Sequence, residues 1–230
     1  MKLAALFSGG KDSTFAIHQA RKMGHDVKCL VTVLTMSAES HLLHHPNVSI
    51  TQLQAQSMNI PQILLESKSD ETGSELELLK QGLMCAKRDH SIEGVVHGGI
   101  LSEFQKTKFE AIAQELGLAV IAPIWKKDQK QYMKELLDLG FEFLISTVSC
   151  DGLDESWVGK KITVYNLDEL IQKSEQFKFN LSFEGGEAET FVTSCPLFSK
   201  PIEITKSQKF WDGYRGRFEI LAAKMKDNAR

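Results

Sequence analysis

Ser8-Gly9-Gly10-Lys11-Asp12-Ser13 is the stretch on which the reading of the fold turns. It follows the apolar run Leu3 to Phe7, which reads as a buried strand. It precedes Thr14 to Met23, where Phe15, Ala16, Ile17 and Ala20 recur at helical spacing until Gly24 closes the element. The adjacent glycines therefore sit on the turn from a first strand into a first helix. Such a turn lets consecutive backbone N–H groups converge on one point, at which the positive end of the helix is also aimed. A phosphate suits both. Ser8 and Ser13 add hydroxyl donors and Lys11 a mobile cation, so Ser8, Gly9, Gly10, Lys11, Asp12 and Ser13 form the candidate nucleotide-binding set. A carboxylate beside phosphates is repulsive unless it holds a metal or a water, which makes Asp12 the candidate metal ligand. The rival is a plain strand–helix turn with a capping Ser or Asp, and the added Lys, Asp and paired serines weigh against it. The spacing is not the G-x-x-x-x-G-K-[ST] of kinase-type nucleotidases, because the glycines are adjacent and the Lys follows at once.

Outward from that loop, strand and helix signals alternate. Val27 to Leu34 is a continuous apolar run, as in a strand covered on both faces. Thr35 to Pro46 is polar and carries His41, His44 and His45, read as a ligand-lining loop rather than a metal site, since no fourth ligand stands at a recognised spacing. Asn47 to Met58 reads as a helix with Ser49 and Gln52 as its capping box. A short strand follows at Ile63 to Leu65, then a helix over Ser74 to Arg88 with Glu75 and Glu77 in its first turn. Gly94 to His97 is a buried strand ending in Gly98-Gly99, Ser102 caps a helix to Leu116, and Ala119 to Ile124 is another strand. Asp128 caps a helix to Leu139, and Phe141 to Val148 reads as the last strand of the series. This alternation predicts an α/β fold with a doubly wound parallel sheet. Ligand loops are expected after Phe7, Leu34, His97 and Ile124, at the strands' carboxyl ends.

The composition shifts after Cys150. We expect an ATP-binding domain over 1–150 and a smaller α+β substrate-binding part over 151–230, with a helix from about Asp168 to Phe177. Phe183-Glu184-Gly185-Gly186-Glu187-Ala188-Glu189-Thr190 packs three carboxylates and two glycines into eight residues, too acidic and too Gly-rich for a buried strand. Two strand-like runs, Ile202 to Lys206 and Arg217 to Ala222, meet across the hairpin signal Asp212-Gly213. The 230 residues are 42% hydrophobic and 25% charged, ordinary for a globular chain, and the net charge of −3 argues against a nucleic-acid footprint. No apolar run approaches membrane-spanning length. Four scattered cysteines without a C-x-x-C pair fit free thiols in a reducing compartment, and a chain that opens directly on a strand lacks a signal peptide, so a cytoplasmic location is expected.

Several of these segments together carry a resemblance. Residues 8–13 resemble the S-G-G-x-D-S pyrophosphate loop (PP-loop) of the ATP pyrophosphatase superfamily, whose fold is HUP-like. His45-Pro46-Asn47, Gly99-Ile100-Leu101-Ser102-Glu103-Phe104-Gln105, Ala122-Pro123-Ile124-Trp125 with Asp128-Gln129, and Glu184-Gly185-Gly186-Glu187 with Glu189-Thr190 then resemble the diphthine–ammonia ligases, in the family's order along nearly the whole chain. The resemblance implies ATP with Mg2+ as cofactors and ammonium as co-substrate. It implies as partner elongation factor 2, whose diphthine carboxylate becomes the amide through an acyl-adenylate, releasing AMP and pyrophosphate. A homodimer is left open. Lys11 and Asp12 would serve the leaving pyrophosphate, and Gln105 the acyl group. Glu187 and Glu189 would hold and deprotonate ammonium, with Glu77 a further candidate by its place in the family's acidic helix start. Phe104 stands where the family usually has Tyr. Two other readings are carried beside this one: a different PP-loop adenylating enzyme, and a non-enzymatic nucleotide-binding sensor.

Overall fold

Five short apolar runs build the first sheet. The computed structural model describes residues 1–34, 47, 50–67 and 72–227. Strands β1 (Lys2–Leu6), β2 (Asp26–Leu34), β3 (Gln62–Glu66), β4 (Gly94–Val96) and β5 (Ala119–Ile121) lie parallel in the order β3-β2-β1-β4-β5. Helices α1 (Lys11–Lys22) and α2 (Thr51–Met58) pack Ala16, Ile17, Ala20, Ala55 and Met58 on one face. Helices α3 (Thr72–His90) and α4 (Glu103–Glu115) pack Leu79, Leu83, Phe109 and Ile112 on the other. The sheet is doubly wound, as the alternation predicts. Its direction of winding reverses between β1 and β4, and in such sheets that crevice receives the ligand. The expected ligand loops after Phe7 and His97 are the two that flank it.

Caps are observed where side-chain acceptors precede a helix. Ser102 Oγ accepts from Gln105 N, and Asp128 from Gln131 N at the start of α5 (Gln129–Asp138). Helix α2 opens at Thr51 with Ile50 at its cap position, and the expected capping box pairs Ser49 with Gln52. Ser49 and the His41, His44 and His45 group lie outside the described residues. Asn47, expected to begin that helix, instead takes φ 63° and ties itself to the last strand, donating to Phe218 O and accepting from Ile220 N.

The run Phe141 to Val148 does not close the parallel series. Strand β6 (Glu142–Val148) is the centre of a second sheet with β7 (Lys161–Ile162), β8 (Ala188–Ser194), β9 (Ile202–Trp211) and β10 (Gly216–Met225), every described pairing in it antiparallel. One side of β6 packs against α5 and α6 (Leu167–Phe177), the other against Phe191, Ile202 and Ile220. A strand buried on both faces is apolar throughout, so the pattern alone does not say which sheet it joins. The change of sheet thus falls between β5 and β6, ahead of the composition shift at Cys150. The acidic run also differs from its reading: only its first half is loop, and β8 begins at Ala188. The expected C-terminal hairpin is present, with ten residues in each strand.

Candidate active site

The turn from β1 into α1 is held from three sides. Gly9 takes φ +80°, a conformation that favours glycine, and a Cβ there would lie 2.5 Å from Gln54 Oε1. Gln54, fully buried on α2, donates from Nε2 to Gly9 O at 3.0 Å and to Val192 O at 2.7 Å. Val192 N donates to the same Gly9 carbonyl at 3.0 Å. At the first residue of the helix, Lys11 N donates to Thr190 Oγ1 at 3.1 Å. Strand β8 of the second sheet therefore braces the loop of the first. Ser8 and Ser13 bond to each other, Oγ to Oγ at 3.2 Å, which fixes the loop's inner edge.

The β4 side approaches just as closely. A Cβ on Gly98 would sit 2.5 Å from Asp12 C and 2.6 Å from Ser13 N, both backbone atoms at the start of α1. Gly98→Ala is therefore expected to push the helix start off β4, with a loss of about 1–3 kcal/mol of stability. ATP affinity should fall alongside. A thermal melt with an ATP titration checks both; native values for the two would mean that β4 and α1 separate freely.

Lys11 is not the mobile cation of the sequence reading. It is 1% exposed, with Nζ donating to Ser182 O at 2.6 Å and to Asp12 Oδ2 at 2.9 Å, 5.2 Å from the centroid of the Phe183 ring. Asp12 Oδ1 accepts from the hydroxyl of Tyr132 at 2.7 Å. Both Asp12 oxygens thus have donors, while its side chain keeps 29% of its surface open. Tyr132 is buried against Phe15, and burial with the adjacent Asp12 carboxylate raises its phenol well above the ordinary range.

These residues wall a cleft of about 290 Å³ at the winding reversal. One end is apolar, lined by Leu6, Val31, Val33, Leu79 and Phe109; the other carries Ser8, Lys11, Asp12, Ser13, Glu184 and Glu189. Glu184 Oε1 accepts the consecutive backbone N–H groups of Ile100, Leu101 and Ser102 at 2.9, 3.1 and 3.2 Å. Burial, then the nearby Asp12, nevertheless raises its pKa, outweighing those three bonds.

The three carboxylates of the acidic run have different roles in space. Glu187 turns into its own loop: Oε1 accepts from Asn180 N at 2.9 Å and Asn180 Nδ2 at 2.6 Å, and Oε2 from Gly185 N at 2.8 Å. Its carboxylate closes the turn, and it is not among the cleft-lining residues. Glu184 and Glu189 line the cleft, and so does Gln105. Glu77 is elsewhere, exposed on α3 in a shallow groove with Lys80, Lys108 and Glu115. Phe104 is half exposed beside Lys108 and is not among the cleft-lining residues. Sequence reasoning missed Tyr132, Ser182 and the weight of Glu184. A strand start at Ala188 would have told the other two glutamates apart, because it leaves 187 in the turn and puts 189 on the strand.

His97 is, with Lys11, a buried titratable group of the cleft. It is 1% exposed, and Nδ1 accepts from Gly99 N at 3.1 Å. Burial, with Lys106 second, pushes its pKa down to about 4. The folded value lies below the unfolded one near 6.5, so the neutral imidazole contributes stability that is complete above pH 6.5. That contribution is lost as the pH falls through 4, to the extent of about 3 kcal/mol. His97→Gln should flatten this acid limb; denaturation midpoints measured from pH 7 to 4 test it, and identical limbs would refute the assignment.

Two family models match the chain: the diphthamide synthase N-terminal domain over residues 1–120 and the diphthamide synthase C-terminal domain over 128–225. Among curated relatives, the Mus musculus diphthine–ammonia ligase is 30% identical over 225 residues, and the Bos taurus diphthine–ammonia ligase 29% over 226. Each alignment covers 90% of this chain and 84% of the relative. A solved Methanocaldococcus jannaschii chain described as a predicted subunit of tRNA methyltransferase superposes at a TM-score of 0.45 with 12% identity, over 85% of this chain and 98% of that one.

Proposed function

The chain belongs to the diphthamide synthase family, and on that premise we propose that it is an ATP-dependent diphthine–ammonia ligase acting on elongation factor 2. The observation that carries this reading is one cleft that joins an apolar end, a glycine loop at a helix start and the carboxylates Asp12, Glu184 and Glu189. The apolar end suits adenine and the loop suits the phosphates. A carboxylate is a poor electrophile, so the diphthine oxygen first attacks the α-phosphorus of ATP, and the bond to the β-phosphate oxygen breaks to release pyrophosphate. The loop N–H groups and the helix start stabilise the charge that develops there. Ammonia then attacks the acyl carbon, and AMP leaves with the bonding pair.

Ammonium is a cation that must lose a proton before it can attack. Glu189 on the cleft wall attracts it and accepts that proton. Gln105, on the same wall, positions the acyl group. Mg2+ fits the donor set: two carboxylates, Asp12 and Glu184, face one cleft, and Mg2+ commonly takes one or two carboxylates together with substrate phosphates. Bound there, it would neutralise phosphate charge. The four cysteines are free thiols, as the cytosol keeps them, and among the described residues no helix is long and apolar enough to cross a membrane.

ATP labelled at the α and γ phosphates, incubated with ammonium and diphthine-bearing elongation factor 2, tests the reading. AMP and pyrophosphate should appear in step with amide. Acceptor-dependent ADP as the main product would sink the adenylation route, and nucleotide binding without turnover would make the protein a sensor.

A further inference from the structure

Tyr132 is fully buried, yet its hydroxyl reaches the most polar part of the cleft wall. We propose that Tyr132 is a positioning residue for Asp12: the α5 phenol sets the orientation in which the Asp12 carboxylate meets the cation of a bound nucleoside triphosphate. The inference rests on the reading of Asp12 as the metal-facing carboxylate.

A carboxylate's terminal torsion is broad when nothing holds it. Here each oxygen has a donor, Tyr132 on Oδ1 at 2.7 Å and Lys11 on Oδ2 at 2.9 Å. The phenol is itself immobile, because its ring lies 5.4 Å from Phe15, which in turn lies 5.5 Å edge-on to Phe141. The Tyr132 hydroxyl is the donor of its bond to Asp12, and the carboxylate oxygen accepts it.

The same helix reaches Asp12 by a second route. Gln129, one turn before Tyr132 and on the same helix face, accepts at Oε1 from Ser182 N at 2.9 Å and holds the segment whose carbonyl receives Lys11 Nζ at 2.6 Å. Both donors on Asp12 are thereby set from α5, which packs in the core of the second sheet. Each donor occupies one lone pair per oxygen, and the remaining pairs are left for a ligand in the cleft.

Tyr132→Phe keeps the ring and removes only the donor. ATP affinity is measured by calorimetry with Mg2+ and with a chelator, in the wild-type and Asp12→Asn backgrounds, beside thermal melts. The inference expects Mg2+-ATP binding to weaken by about tenfold, the loss typical when a group orienting a metal ligand is removed. It expects metal-free ATP binding to be unchanged and no further loss in the Asp12→Asn background, because the phenol acts through that carboxylate. Equal losses with and without Mg2+, full additivity on Asp12→Asn, or no loss at all would each overturn it. An Asp12→Asn protein with native Mg2+-ATP affinity would instead remove the reading of Asp12 that lies beneath it.

Discussion

Asp12→Asn should lower the rate of amide formation at least a hundredfold, roughly 3 kcal/mol of transition-state stabilisation, in a protein that still folds. The amide keeps the shape of the side chain and can still accept from Lys11, but it no longer offers a charge to a metal in the cleft. Asp12→Ala is a different experiment. A carboxylate at a helix start that acted only as a cap would contribute about 1 kcal/mol. Asp12 instead neutralises an ammonium that is 1% exposed, and its loss leaves Lys11 with the Ser182 carbonyl alone. Removing one partner of a buried pair costs about 3–5 kcal/mol, and the partial exposure of Asp12 puts the expected value near the lower end. Steady-state amide assays and chemical denaturation separate the two variants. Full activity in a folded Asp12→Asn protein would end the catalytic assignment.

Glu189→Gln should stop amide formation while the first half-reaction survives. The expected loss is a factor of about 10²–10⁴, the range for a positioned general base. Labelled pyrophosphate should still exchange into ATP in the presence of diphthine-bearing factor, because adenylation needs no ammonium. Glu187→Ala makes the contrast. Its carboxylate closes the turn by accepting from Asn180 and Gly185, so its removal should lower exchange and amidation together and lower the melting temperature. If Glu187→Ala alone showed exchange without amide, the assignments of the two glutamates would have to be reversed.

The elements of the first sheet were legible because each is a local pattern: an apolar run, a turn residue, a cap such as Ser102 or Asp128. The glycine-bearing turn from β1 into α1 was legible for the same reason, since its six residues are contiguous. What could not be read was the partner of each piece. Strand β6 has the burial of a parallel central strand and joins an antiparallel sheet, a choice made by packing against α5 and α6 rather than by its own periodicity. Tyr132 meets Asp12 across 120 residues and Ser182 meets Lys11 across 171, separations at which no spacing rule operates. The acidic run failed in another way. The resemblance gave Glu187 and Glu189 one shared task, while the start of β8 at Ala188 leaves Glu187 in the turn and puts Glu189 on the strand that lines the cleft.

The grip of β8 on the glycine loop limits how this architecture can be recombined. Gly9 O is bonded by Val192 N and by Gln54, Gln54 also holds Val192 O, and Lys11 N is bonded by Thr190. An exchange of C-terminal halves between relatives would carry the far side of the phosphate loop with it. A chimera cut at the boundary between the two family domains would thus take the β8 bracing of its glycine loop from the donor of the C-terminal half. A transplant of the first sheet alone would bring a loop that lacks half of its bracing. The two halves are separable as sequence models and joined by these bonds at the glycine loop, so a change in one bears on the packing of the other.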